Sequence, residues 1–213
     1  MTTALPALSL LETRVLGTLV EKQHTVPDTY PLTLNALVSG CNQKTSRSPV
    51  MEATETEVQS SLDSLKRLNL VIESSGGRVA RYAHNADAVL KIPSQSVAIL
   101  TVLMLRGPQT PGELRINCER MHRFADISAV EGFLQELAAR SAGALVVQLA
   151  RLPGARENRW AHLLSGQPVE SPHKEREERE AKASGNDALE ARVARLEGEV
   201  AELRAVLDRL RLQ

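Results

Sequence analysis

Val58, Leu62 and Leu65 recur later in the chain as Val130, Leu134 and Leu137, each pair separated by the same interval. Spacings of four and three put each trio on one helical face, so two helices in this chain bury faces of identical phase. Their surroundings repeat as well. Thr54 and Glu57 form a capping box at the start of the first of these helices. Two short runs follow, Leu70 to Ser74 and Arg78 to His84, flanking Gly76 and Gly77 in the manner of a β-hairpin. The second helix starts near Asp126 or Ser128, turns Phe133 inward too, and precedes a pairing of Ala144 to Arg151 with Arg159 to Leu164 across Pro153 and Gly154.

Two helices stand ahead of each trio. One runs from about Ser9 to Gln23, with Ser9 and Glu12 as capping box and Leu11, Val15, Leu16, Leu19 and Val20 as apolar face. Pro31 is expected to open the next, carrying Leu34, Leu37 and Val38. In the second half, Ser96 to Arg106 carries Val97, Leu100, Leu103 and Met104. Thr110, Pro111 and Glu113 then start a helix with Leu114, Cys118 and Met121 inward. Three helices and a hairpin, twice over, is the order of a winged helix, in which the third helix reads a groove and the hairpin is the wing. The expected fold is mainly α with small β-hairpins: winged-helix domains at 1–90 and 91–166, a charged linker at 167–186 and a coiled-coil helix at 187–213.

That last segment is an unbroken heptad. Leu189, Val193, Leu196, Val200, Leu203, Leu207 and Leu210 alternate four and three apart, with valine-rich a positions and leucine d positions, which favours a parallel two-stranded coil. Across such a dimer Arg192 meets Glu197 and Glu199 meets Arg204, both attractive. Asp187 with Glu190 caps the start, and Ser184, Gly185 and Asn186 separate it from the run HKEREEREAK. The expected partner is a second copy of the chain, the alternative being that the helix folds back onto its own domain.

Composition narrows the function classes. Two tyrosines, two phenylalanines and one tryptophan in 213 residues leave the cores to Leu, Val and Ala packed between helices. Cys41 and Cys118 are far apart and lack metal-ligand spacing, which fits small buried hydrophobes in a reducing compartment, with a bridge between them as the alternative. No run approaches membrane-spanning length and no signal segment leads the chain, so a cytoplasmic protein without membrane contact is expected. His24, His84, His122, His162 and His173 are scattered, and neither a Gly-rich phosphate loop nor a nucleophile motif occurs. No catalytic, cofactor or metal residue is therefore assigned, and the chain is not read as an enzyme.

The stretches EKQ at 21–23, YPLTLNALVSGCNQKTSRSPVM at 30–51, LRGPQTPGELR at 105–115, LARLPGARENRWAHLLSG at 149–166 and LEARVARLEGEVAELR at 189–204 resemble the YceH-like family of bacterial proteins over nearly the whole chain. The resemblance implies two winged helices, a carboxy-terminal coil and DNA-binding ancestry, with no substrate, cofactor or catalytic residue. This chain departs from it at Asn117, where the family usually has an arginine two positions after the one matching Arg115.

Two functions follow. The first is a homodimeric DNA-binding protein, of which a transcriptional regulator is the expected kind. Its phosphate contacts would be Lys44 and Arg47 in the turn before the third helix, Arg78 and Arg81 on the first wing, and Arg156 and Arg159 on the second. Gln59 would address an adenine edge, and Ser60 either a base or a phosphate. The second is an adaptor that uses the same folds to hold another protein, because Glu52, Glu55 and Glu57 lead one third helix and Glu131, Gln135 and Glu136 line the other, where they repel phosphate. The polar segment Asn42 to Arg47 reads equally as a binding loop or as a turn whose side chains bond to backbone. Formal charge is balanced overall, with 26 basic and 26 acidic residues, so a DNA reading needs the charges segregated in space. At micromolar concentration the full chain should sediment as a dimer and a version ending before Asp187 as a monomer; a monomeric full chain would remove the zipper.

Overall fold

Helix α1 (Leu10–Thr25) is hidden on every side through its middle: Thr13, Arg14, Val15, Leu16, Gly17, Thr18, Leu19 and Val20 are all buried. An amphipathic surface helix buries one stripe, so a helix buried all round has partners on opposite faces. In the computed structural model one partner is the pair α2 (Leu34–Cys41) and α3 (Glu55–Arg67), and the other is α5 (Ser94–Arg106). The structure describes residues 6–74, 76–77, 79–151, 154–168 and Arg195. The chain divides into two units, Met1–Pro168 and Val169–Gln213, and all described residues but Arg195 belong to the first. The seven heptad residues from Leu189 to Leu210 lie outside the described residues.

The elements form an α+β arrangement with small antiparallel sheets. After α1 come a 3-10 turn (Pro27–Thr29), β1 (Leu32–Thr33), α2, α3, β2 (Val71–Ser74) and β3 (Arg81–His84). The sheet order is β1-β3-β2, with Leu32 opposite Tyr82 and Glu73 opposite Tyr82 from the other side. Then follow α4 (Ala86–Leu90), α5, α6 (Pro111–Asn117), α7 (Ile127–Ala138), β4 (Val146–Gln148) and β5 (Trp160–His162). Here the sheet is β4-β5, and a single bridge from Gln109 to Trp160 stands where β1 meets β3 in the first half.

Capping chemistry sets the helix starts. Ser9 with Glu12, Thr54 with Glu57 and Thr110 with Glu113 each form both bonds of a capping box, and Asp126 caps α7 through the Ala129 amide. Pro31 does not open the second helix. Thr33 caps α2 instead, because residues 32 and 33 are drawn into strand pairing with Tyr82 and Arg81. The hairpin strands are shorter than their hydrophobic runs, and α4 was not legible as a helix. The duplicated trios do face inward: Val58, Leu62, Leu65, Val130, Leu134 and Leu137 are buried.

One apolar cluster runs through both halves. Gly17 lets α5 approach α1: a Cβ there would lie 3.0 Å from Leu105 Cδ2 and 3.4 Å from Met104 Cβ. Backbone bonds reinforce the junction, from Ser48 N–H to the Leu105 carbonyl at 2.8 Å and from Leu8 N–H to the Leu164 carbonyl at 2.7 Å. Cys41 and Cys118 are free and buried, and burial pushes both thiols up, Cys118 to about 12. They are packing residues with no bridge between them.

Gly40 in α2 is the tightest approach, since a Cβ would sit 2.6 Å from Thr18 Cγ2. Gly40→Ala should lower stability by about 1–3 kcal/mol through overpacking, despite the helix propensity it gains. Thr18→Ser removes the obstructing methyl and keeps the hydroxyl 3.7 Å from the Cys41 thiol. In urea titrations the double variant should recover most of the loss. Equal midpoints for Gly40→Ala and the parent would show that the contact is not restrictive.

Candidate functional site

The loop from Asn42 to Thr54 is built as a clamp. The Asn42 side chain donates to the Ala53 carbonyl and accepts from the Ala53 amide, both at 2.8 Å, closing the loop at its base. Arg47 turns inward, with a side chain 0% exposed. Its Nη1 and Nη2 donate to the two Glu21 carboxylate oxygens at 3.1 and 2.6 Å, and its Nε donates to the Gly40 carbonyl. Arg14, also buried, donates to the Cys41 and Pro49 carbonyls, while its Nε has no partner among the described residues. Burial lowers the Arg14 pKa, and the Arg47 charge adds to that. Burial works against ionisation of Glu21, but the hydrogen bonds and charge of Arg47, helped by Lys22, hold its carboxyl below the ordinary value.

Arg47 is thus a correction to the expected phosphate contacts: the interior ion pair with Glu21 engages the fork that a phosphate would need. Other expected contacts are engaged in part. Arg81 is exposed but donates to the Pro31 carbonyl at 2.8 Å, and Arg159 donates through Nε and Nη2 to the Pro108 carbonyl at 3.1 and 2.7 Å. Lys44 and Arg156 are exposed, and Arg78 lies outside the described residues. Asn117, the departure noted in the sequence, donates to Gln109 Oε1 at 2.7 Å and so steadies the residue that bridges to Trp160.

Gln59 and Ser60 come together on α3 beside a recess of about 570 Å³, with Leu34, Glu55, Thr56 and Asp63. Ser60 is exposed, but Gln59 is held. Tyr82 Oη donates to Gln59 Oε1 at 3.2 Å, Gln59 Nε2 donates to Asp63 at 3.1 Å, and Lys66 reaches both Asp63 and Glu73 at 2.8 and 2.6 Å. Those hydrogen bonds raise the Lys66 pKa and lower that of Asp63.

A matching recess of about 270 Å³ lies on α7, lined by Pro111, Glu131, Gln135, Gln148, Glu157, Asn158 and Trp160. Glu131 and Gln135 stand at the interval from Gln59 and Asp63 that relates the two trios. Trp160 holds the strand position that Tyr82 holds, opposite the first short strand or its bridge. The sequence reading found the acceptors of α7 but missed Gln148, Glu157, Asn158 and Trp160. A signal was present in the lone tryptophan following Glu157 and Asn158 in the second hairpin. Beyond this recess, Arg115, Arg120 and Arg123 are exposed on and after α6, as is Ile116 at 70%.

Comparison with known proteins gives a family and no activity. The family described as "Protein of unknown function, DUF480" matches residues 8–155. A UPF0502 protein of Dechloromonas aromatica (strain RCB) is 62% identical over 216 residues, covering 97% of both chains. A UPF0502 protein of Burkholderia orbicola (strain MC0-3) is 57% identical, covering 97% of this chain and 89% of its own.

Arg47→Ala should lower stability by about 3–5 kcal/mol, the cost of leaving the half-buried Glu21 carboxylate without its two-pronged partner and with only Lys22 at 3.6 Å. Chemical denaturation of both proteins checks it. A loss below about 1 kcal/mol would restore Arg47 as a surface residue in effect.

Proposed function

Because this chain belongs to the DUF480 family of UPF0502 proteins, whose descriptions carry no activity, we propose its function from geometry: a tandem winged-helix protein that binds another polypeptide rather than duplex DNA. The winged-helix reading is supported by the order helix, strand, helix, helix, strand, strand, by the β1-β3-β2 sheet, and by the Gln109–Trp160 bridge that substitutes for a first strand in the second half. The coiled-coil tail, read from the heptad alone, would present these modules in duplicate.

One observation carries the preference for a polypeptide. The faces that a winged helix would insert into a groove hold Glu55 and Asp63 in the first half and Glu131 and Glu157 in the second. Carboxylates there meet a phosphate backbone with like charge, and a partly desolvated surface makes that repulsion stronger than in water. Meanwhile Arg47 is interior and Arg159 is tied to a backbone carbonyl.

The DNA reading keeps one specific support: Lys44, Arg120, Arg123 and Arg156 are exposed at the turns and wing that flank the third helices, and Arg115 on α6. Fluorescence anisotropy of a random duplex separates the two. At about 50 mM salt, where phosphate contacts are strong, the full chain at micromolar concentration should leave the anisotropy unchanged. Binding that weakens steeply with added salt would reverse the conclusion in favour of DNA.

A further inference from the structure

The duplication lets one recess be compared with the other, and the two differ in what their polar groups do. In the first half the aromatic hydroxyl, the carboxamide and the carboxylate satisfy one another in a chain from Tyr82 through Gln59 to Asp63 and on to Lys66. In the second half that chain does not exist. Trp160 has no hydroxyl to offer, Glu131 replaces the carboxamide and Gln135 replaces the carboxylate. Among the described residues the side chains of Glu131, Gln135, Gln148, Glu157 and Asn158 form no hydrogen bond or ion pair. Trp160 is only 8% exposed and lines the recess, and among the described residues its indole N–H makes no hydrogen bond, yet it is not sealed from solvent as Arg14 Nε and His162 Nδ1 are.

An indole N–H is a donor only, and one that is reached by solvent on an otherwise buried ring can exchange water for a ligand's acceptor. Carboxamides supply both donors and acceptors, matching peptide groups, while two carboxylates beside an aromatic wall suit a cation on an apolar stem. A metal ion would leave the indole N–H unanswered, and a nucleic acid would bring phosphate to Glu131 and Glu157. A basic side chain together with its own backbone carbonyl answers every group. The recess, at about 270 Å³, has room for one such side chain.

We propose that the α7 recess formed by Glu131, Gln135, Gln148, Glu157, Asn158 and Trp160 is a specificity pocket for an arginine or lysine side chain of a partner polypeptide, and that the equivalent α3 recess is closed to this use by its own hydrogen bonds. This rests on the polypeptide-binding reading and assigns its chemistry to one half of the duplicated fold. Glu131 and Glu157 hold the cation, Trp160 packs against the stem, and the carboxamides pair with the backbone on either side.

The single tryptophan makes the pocket its own reporter. In the full chain, a capped Gly-Gly-Arg-Gly-Gly peptide should change Trp160 emission saturably, with a midpoint on the order of millimolar for so small a ligand. The same peptide with citrulline, isosteric and uncharged, should not. Glu131→Gln and Glu157→Gln, both at exposed positions, should each weaken the response about tenfold, and Glu55→Gln in the other recess should leave it unchanged. No saturable response, an equal response to citrulline, or indifference to both pocket substitutions would overturn the inference. Adding random duplex in place of peptide keeps the two failures apart: a response to duplex alone removes the polypeptide reading itself, whereas silence towards both removes only the pocket.

Discussion

The crossing of α1 with α5 is the contact that the rest of the molecule depends on. Each of these helices is first in its half, and each would leave a broad apolar face in water if the halves stood apart. Gly17 brings the axes close enough for Leu105 and Met104 to fill the space. Once α1 is covered by α5, its remaining side must be covered by α2 and α3. Polar groups that fall inside, such as Arg14 and Thr13, then require carbonyl partners close by. The Asn42–Thr54 loop exists in its observed form for that reason: it brings Pro49 O to Arg14, Ser46 Oγ to Arg106, and Arg47 to Glu21. An interior with two guanidiniums and one nearby carboxylate is expensive to desolvate, so its worth lies in fixing one arrangement of loop and helices rather than in raw stability.

That clamp has a functional consequence. Arg47, next to the first third helix, is drawn into structure while Lys44 stays exposed, and the α3 recess is lined by Glu55, Gln59 and Asp63. The second half keeps exposed arginines on and after α6, of which Arg115 donates to the Ala125 carbonyl, and carries a recess lined by Glu131 and Glu157. The two halves thus carry recesses of about 570 Å³ on α3 and 270 Å³ on α7, in which the polar groups of the first are joined through Tyr82 and those beside Trp160 are not. The difference arises from three substitutions between equivalent positions, each changing which groups can hydrogen-bond to which.

Local signals carried far in this chain because they are short-range. Capping boxes at Ser9, Thr54 and Thr110 act within one turn, so the residues alone name them, and the buried phase of Val58, Leu62 and Leu65 follows from helical geometry. Strand pairing is different. Whether Leu32 and Thr33 open a helix or join a sheet depends on Tyr82 and Arg81, some fifty residues away, and nothing local to Pro31 encodes it. The same holds for the recess on α7, whose lining comes from four separate segments.

Taken alone, the order of residues determined that two helix-rich units of matching phase follow one another, where most helices begin, and that a heptad closes the chain, since each of these is a matter of spacing along the backbone. Tertiary structure alone decided that the units share one core, that Arg47 faces Glu21 instead of solvent, and that the acceptors of α7 surround a tryptophan. Those outcomes depend on which surfaces exclude water together, and burial is a property of neighbours in space that no spacing along the chain specifies.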